Sequence, residues 1–202
     1  MKRQKIKRKK KKEKIHHAAR IKVIEIFGES KEKKPYDYFL NLIKNLDKKR
    51  FEIIVIVPPG PLFTKLRKLK QTEVEAVSMV KYWDFHAVSK IKKIIKKINE
   101  GGQLKTIVHC HGDKSGVLGR LACISFWRRA PYVIYTEAQI ASAKIWTTLI
   151  LWFLDLFTDL NIAMSKKVVE FFIRKRVTRP EKLLMSSKEK ETKQLDILYT
   201  QI

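Results

Sequence analysis

The chain alternates between short apolar runs and longer stretches in which apolar residues recur every three or four positions. Runs such as "IKVIEIF" at 21–27 and "FEIIVIV" at 51–57 are rich in β-branched residues and predict strands. The spacing in "HAVSKIKKIIKKINE" at 86–100 predicts an amphipathic helix, which Gly101 and Gly102 would end. This alternation of strand and helix continues along most of the chain.

The remaining apolar patterns complete a regular series. They predict helices at 36–49, 61–70, 115–128, 143–157 and 166–176, and strands at 74–80, 104–110, 132–136, 160–164 and 180–185. Continuous apolar strands are typical of a parallel sheet that is covered by helices on both faces. We therefore predict an α/β fold with a doubly wound, mostly parallel Rossmann-like sheet, in a single domain over 21–185. Residues 186–202 are expected to form a polar C-terminal tail without a regular element.

The formal net charge of +25 is concentrated at the start of the chain. Residues 1–20 contain eleven Lys and Arg but only one acid, Glu13, and almost no apolar residues. Such a segment cannot bury enough surface to offset its chain entropy, so a disordered basic tail is predicted. The charge favours polyanionic partners without choosing among nucleic acid, phosphorylated ligands and an anionic membrane surface. Because the tail has no apolar core, it is not a secretory signal.

Two aromatic segments each allow two interpretations. The segment "IWTTLILWFLDLF" at 145–157 is too short to span a bilayer, and a buried helix is preferred to an interfacial one. The segment "KYWDF" at 81–85 is expected to pack its loop against the following helix, and stacking on a sugar ring is the alternative. The cysteines Cys110 and Cys123 lack metal-ligand spacing and fit reduced thiols in a cytoplasmic protein, peripheral at the inner face of the membrane in the interfacial interpretation.

The segment "TIVHCHGDKSGVLGR" at 106–120 carries the candidate chemistry. His109 and His111 lie two apart on a predicted strand and leave the same face, whereas Cys110 points the opposite way. A zinc site is disfavoured, and no metal is predicted, because no third or fourth ligand is close in sequence. The segment is also neither a G-x-G-x-x-G fingerprint nor a Walker loop.

The second half of this segment predicts a tight turn into a helix. Gly112 allows the turn, and Asp113 or Ser115 would cap the helix. Gly116 and Gly119 would let the helix lie close to the sheet or to a ligand. Two interpretations stay open, an ordinary packed strand–turn–helix and a cleft that meets a polar or phosphorylated ligand.

Four segments, taken in order, resemble one enzyme family. They are "VPPGPLFTKLRK" (57–68), "IVHCHGDKSGVLGRLA" (107–122), "PYVIYTEA" (131–138) and "LFTDLNIAMSKKVVEFFIRKRVTRPEKLLM" (156–185). The chain from 21 to 185 resembles the amino-terminal, acceptor-side domain of the family-four retaining glycosyltransferases. These enzymes have the GT-B architecture, in which two Rossmann-like domains face each other across a cleft. The resemblance implies sugar transfer from a nucleotide-sugar to a glycan or lipid-linked acceptor, as in polysaccharide biosynthesis, without a metal or other cofactor.

The resemblance also implies which residues border the cleft. The implied substrate-binding residues are His109, His111, Gly112, Lys114, Thr136 and Glu137, and the implied phosphate-binding residues are Gly28 and Arg120. No catalytic residue is assigned, because Ala138 stands where the family has a histidine and alanine neither donates nor accepts a proton. The first strand departs as well, since charged residues follow Gly28 where the family usually has a Gly-Gly turn.

A second Rossmann-like domain needs roughly another 150 residues. We therefore expect a truncated enzyme or one half of a split enzyme, inactive alone, with a second chain supplying the donor domain and the nucleotide-sugar. The alternative is a non-catalytic basic module that binds an anionic membrane surface or nucleic acid. No aromatic residues are interleaved with the tail lysines, so base stacking gains no support.

Overall fold

The computed structural model describes residues 20–30, 36–100, 106–126, 130–139, 145–186 and 191–201. These segments form a seven-stranded sheet of order β3-β2-β1-β4-β5-β6-β7, in which each neighbouring pair is parallel. Its strands are β1 (Ile21–Phe27), β2 (Phe51–Val57), β3 (Thr72–Ala76), β4 (Thr106–His111), β5 (Tyr132–Glu137), β6 (Leu160–Ala163) and β7 (Leu183–Met185). The predicted α/β fold with a single Rossmann-like sheet is confirmed. Apart from Arg20, the predicted tail at 1–20 lies outside the described residues.

Helices connect these strands and follow the last of them. The described helices are α1 (Tyr36–Asn45), α2 (Pro61–Leu66), α3 (Phe85–Glu100), α4 (Asp113–Cys123), α5 (Ile145–Asp155), α6 (Lys166–Arg174) and α7 (Glu191–Gln201). The prediction that 186–202 carries no regular element is wrong, because α7 occupies most of it. The strand predicted at 180–185 begins as a 3₁₀ turn and pairs only through its last three residues.

Alternate residues of each strand enter two separate cores. The face that includes Ile24 and Val108 packs against α3, α4, α5 and α6. The opposite face, which includes Val23 and Ile107, packs against α1, α2 and α7. Because both faces are buried, the strands read as continuous apolar runs rather than as an alternation of apolar and polar residues.

The glycines of α4 allow close packing of this helix on the sheet, as the sequence predicts. A Cβ atom at Gly116 would collide with the ring of Tyr135 on β5. A Cβ atom at Gly119 would collide with the Sγ atom of Cys110 on β4. The two missing side chains therefore set the distance between α4 and the middle of the sheet.

Helix α5 differs from its prediction as a buried helix. Only its inner side is buried, at Leu151, Leu154 and Asp155. Its outer side is apolar and exposed, at Ile145, Trp146, Leu149, Trp152 and Phe153, and Leu156 just beyond the helix continues the stripe. Trp146 is 73% exposed and Trp152 is 54% exposed. Among the described helices, none combines the length and the apolar content that crossing a lipid bilayer requires.

Candidate functional site

The candidate site lies at the carboxyl ends of β1, β4 and β5. The chain builds outward from β1 to β3 on one side and then returns to place β4 on the other side of β1. The crossovers therefore diverge between β1 and β4, which is where doubly wound sheets bind ligands. All the residues that the sequence predicts for the site lie near the ends of these three strands, directly after them, or in α4.

The turn between β4 and α4 holds this edge together. Gly112 has a positive φ of 80°, and its N–H donates to the Thr136 carbonyl at 2.8 Å. The predicted capping by Asp113 or Ser115 is wrong, since no side chain caps α4. Instead, the Ser115 hydroxyl donates to the carbonyls of His111 and Gly112. The turn thus depends on the conformational freedom of glycine rather than on a cap.

The end of β1 is packed directly beneath the first turn of α4. A Cβ atom at Gly28 would lie 3.0 Å from the Ser115 nitrogen and 3.2 Å from the Lys114 Cβ atom. Gly28 is buried, whereas Lys114 is half-buried in the first turn of the helix. The basic side chain of Lys114 therefore stands at a helix N-terminus, where the backbone N–H groups already favour an anion.

The two predicted histidines belong to a buried polar cluster. His109 Nε2 lies 2.7 Å from Thr136 Oγ1, and His109 Nδ1 lies 2.6 Å from the Tyr199 hydroxyl. That hydroxyl donates to Glu25 Oε1 at 2.9 Å, and Glu25 Oε2 lies 2.6 Å from His111 Nε2. The cluster joins β1, β4, β5 and α7, and each of its five side chains is buried.

Burial disfavours the charged forms of the ionisable groups in this cluster. It raises the pKa of Glu25, lowers the pKa of His109 well below its usual value, and lowers the pKa of His111 to about 3. With neutral side chains, each hydrogen bond has one donor, in the order Thr136, His109, Tyr199, Glu25 and finally His111. The Nδ1 atom of His111, at the end of this series, has no hydrogen-bond partner among the described residues.

Glu25 and Tyr199 were not predicted from the sequence as members of this cluster. Glu25 pairs across the sheet with His109, and it has the same parity as the buried Val23 and Phe27. An acidic residue on the same face as these apolar residues, in a strand buried on both faces, was the feature that could have indicated a buried polar site. Tyr199 reaches the cluster from α7 and packs its ring against Phe51 at a centroid distance of 5.7 Å. No local pattern near 199 indicates this contact.

Glu137 forms a second buried acidic group at the end of β5. Its Oε1 atom accepts the N–H groups of Ala138 and Gln139 at 2.9 and 3.1 Å, and Tyr135 donates to its Oε2 atom. Burial, together with a hydrogen bond to Asp113 and the negative charge of Asp113, raises the pKa of Glu137 to about 8. At neutral pH this site therefore contains a protonated carboxyl, which can donate a hydrogen bond.

Arg120 is placed inside the domain. Its guanidinium lies over the Tyr135 ring at 3.9 Å, and its Nε donates to the Gly116 carbonyl at 2.6 Å. A longer contact of 3.5 Å joins its Nη1 to Thr158 Oγ1. Its Nη2 atom is buried without a hydrogen-bond partner among the described residues. The sequence suggested that this side chain meets a phosphate, and that role remains a prediction.

The loop after β3 lies near the same edge and is exposed. Burial and the negative charges of Asp113, Glu137 and Glu29 raise the pKa of Tyr82, which places its phenol close to these carboxylates. The prediction that this aromatic segment packs its loop is wrong, because Trp83 is 52% exposed and Tyr82 and Phe85 are also exposed. Its aromatic faces are available to a ligand.

The comparisons with known proteins decide the family. The model of the family described as Glycosyltransferase Family 4 matches residues 37–184, which is most of the chain. The chain belongs to glycosyltransferase family 4. The comparison with curated proteins found no match to this chain.

Solved structures with similar folds include GT-B glycosyltransferases. A glycosyltransferase from Rickettsia africae is 14% identical with a TM-score of 0.65, and the alignment covers 84% of this chain and 43% of that one. Anabaena HepE, solved with UDP and glucose, is 18% identical with a TM-score of 0.60, covering 83% of this chain and 44% of that one. A sucrose-phosphate synthase polypeptide from Thermosynechococcus elongatus is 12% identical with a TM-score of 0.60, covering 89% and 98%. The family-4 chain thus spans less than half the length of the first two.

Proposed function

We propose that this chain is the acceptor-side half of a family-4 glycosyltransferase. Such an enzyme transfers a sugar from a nucleotide-sugar to a glycan or lipid-linked acceptor, and a second Rossmann-like domain holds the nucleotide. The observation that carries the proposal is the family match over residues 37–184. The chain forms a single domain. Its alignment covers 44% of the length of a structural neighbour that was solved with UDP and glucose.

The edge of the site offers chemistry that suits a sugar acceptor. Tyr82 and Trp83 present exposed aromatic faces, on which the apolar C–H faces of a sugar ring can stack. Lys114 stands at the N-terminus of α4, where an acceptor phosphate would be stabilised. Glu137, whose pKa is raised to about 8, shares a hydrogen bond with Asp113 at this edge, and the half-buried Asp113 can accept a hydrogen bond from a hydroxyl. His111 supports this edge from beneath, through Glu25.

Transfer requires that donor and acceptor be held in one closed site. The 202-residue chain contributes one wall of that site, and Ala138 supplies no proton-transferring group where relatives are expected to have one. The donor half would come from a second polypeptide or from further residues of the same protein. The substrates then meet between the two Rossmann-like domains.

The 202-residue polypeptide alone should transfer no sugar and should bind a sugar rather than a nucleotide. We expect saturation-transfer NMR to detect maltotriose on the chain, whereas UDP gives no signal. Trp83→Ala should reduce the maltotriose signal several-fold, because it removes an exposed stacking surface. Ile197→Ala is the control, because Ile197 is an exposed apolar residue on α7, and it should leave the maltotriose signal unchanged. UDP binding without sugar binding, or glucose transfer from UDP-glucose by this polypeptide alone, would contradict the proposal.

A membrane surface is the partner best supported by the exposed side of α5. The apolar stripe from Ile145 to Leu156 includes two exposed tryptophans, which favour the boundary between lipid headgroups and acyl chains. The chain also carries a net charge of +25, which attracts anionic lipid headgroups. Nucleic acid would use the charge but not the apolar stripe. We therefore propose an anionic bilayer as the surface on which this domain meets a lipid-linked acceptor.

Vesicle sedimentation tests the membrane proposal. The double variant Trp146→Ser/Trp152→Ser should bind phosphatidylglycerol-containing vesicles at least about tenfold more weakly than the wild type, because it loses buried apolar area. Ile173→Ser, which changes an exposed residue on α6, should leave the affinity unchanged. High salt should weaken binding of the wild type only in part, since the apolar contribution is not screened. Equal binding by the double variant and the wild type would exclude α5 as the membrane-binding surface.

A further inference from the structure

The cluster of Glu25, His109, His111 and Tyr199 has the composition of a metal site. Two imidazoles, one carboxylate and one phenol are side chains that bind first-row transition metals. The potential ligand atoms of Glu25, His109 and His111 all lie within 4.8 Å of one another. The sequence disfavoured zinc for lack of a third ligand, and the pairing of β1 with β4 supplies it, because Glu25 lies opposite His109.

The distances between the potential ligand atoms are close to those in a metal site. Glu25 Oε2 lies 2.6 Å from His111 Nε2 and 3.3 Å from His109 Nδ1. The Tyr199 hydroxyl lies 2.6 Å from the same His109 nitrogen. Tetrahedral zinc with bonds of about 2.0–2.1 Å separates its ligand atoms by about 3.4 Å. Shifts of roughly 1 Å in these side chains would therefore admit the ion.

In the part of the chain that the structure describes, the Glu25 carboxyl has no Lys or Arg side chain beside it. Its hydrogen-bonding partners are His111 and Tyr199. A buried carboxylate without a compensating positive charge is costly, so the group must hold either a proton or a metal ion. An ion would supply that charge at the point where the ligand atoms meet.

Thr136 is placed to orient His109 as a metal ligand. When His109 binds a metal through Nδ1, its Nε2 carries the hydrogen and donates to Thr136 Oγ1, which lies 2.7 Å away. Metal-bound imidazoles normally make such a second hydrogen bond, which fixes their orientation. For His111, bound through Nε2, the Nδ1 atom has no such second partner among the described residues.

We propose that Glu25, His109, His111 and Tyr199 bind one divalent transition-metal ion, for which Zn²⁺ is the probe. The site is closed, because the four side chains are buried, so the ion has a structural role and takes no part in sugar transfer. Since Tyr199 lies on α7 and the other ligands lie on the sheet, the ion would fix α7 to β1 and β4.

The metal content of the untagged 202-residue chain tests the proposal. The chain is made in a His16→Gln/His17→Gln background, because this histidine pair in the tail could bind metal loosely. After loading with Zn²⁺ and dialysis, elemental analysis should find about one zinc per chain. Co²⁺ in place of Zn²⁺ should give the visible absorption bands of a tetrahedral site. A strong chelator should remove the ion and lower the melting temperature.

Two variants separate the cluster from other sources of metal. Glu25→Gln keeps the shape of the side chain but loses its charge, and it should retain at least about tenfold less zinc. His86→Gln, which removes an exposed histidine of α3, should retain as much zinc as the background protein. The wild-type measurement decides the matter even if Glu25→Gln fails to fold. Less than about 0.1 zinc per chain in the background protein, or equal zinc in Glu25→Gln, would overturn the proposal.

Discussion

Tyr199→Phe should lower the free energy of unfolding by about 2–4 kcal/mol. The hydroxyl lies 2.6 Å from His109 Nδ1 and donates to Glu25 Oε1 at 2.9 Å. Its removal leaves two buried polar atoms without this partner, and each costs roughly 1–3 kcal/mol when unsatisfied. The ring itself is retained, so the packing against Phe51 is preserved and the loss reports the hydroxyl.

Urea unfolding with EDTA in the buffer measures this loss without any contribution from a metal ion. Tyr82→Phe is the matched control, because Tyr82 is exposed, and it should change the free energy of unfolding by less than about 0.5 kcal/mol. A loss below about 1 kcal/mol for Tyr199→Phe would show that the buried cluster contributes little to the docking of α7.

Glu137→Gln should make the domain more stable than the wild type in alkaline solution. The pKa of Glu137 is raised to about 8 in the folded chain, from an ordinary value of 4.5. The folded state therefore holds a proton that the unfolded chain releases. Its contribution to stability is fully present below pH 4.5 and is lost as the pH rises through 8. Glutamine resembles the protonated carboxyl at every pH, so the free energy of unfolding of the variant does not fall as the pH rises.

The difference between the two proteins should be small at pH 5 and should grow to the order of 5 kcal/mol at pH 9. Urea unfolding at a series of pH values measures it. Glu170→Gln, at an exposed position on α6, should follow the wild type throughout. If the wild type is the more stable protein at pH 9, then the carboxylate of Glu137 is stabilised by its two backbone N–H donors and the sign of the shift is wrong.

The parallel sheet was predictable because its strands are buried on both faces. A run such as Phe51–Val57 has no polar face, and only a sheet with helices on both sides accommodates it. The contacts of Gly116 and Gly119 were predictable for a related reason, since a helix with two gaps on one side packs closely. Local patterns were sufficient wherever burial decided the structure.

The buried cluster and the outer side of α5 were not predictable in this way. Tyr199 meets Glu25 across 174 residues, and no local period encodes such a contact. The sequence of α5 is apolar on nearly all sides, so it could not show which side would face the core. Exposure of Trp146 and Trp152 follows from the placement of α5 against α4, which is a tertiary property.

The position of α7 has a consequence for how the polypeptide reaches its native state. β1 and α1 are made early, and Phe39 of α1 packs against His111. α7 is made after all seven strands, so Tyr199 can join the polar cluster only once α7 has emerged from the ribosome. Contacts that close so long a loop form late, because the entropy of the chain opposes them. Docking of α7 should thus follow formation of the sheet, and its amide hydrogens should exchange with solvent before those of β1 and β4.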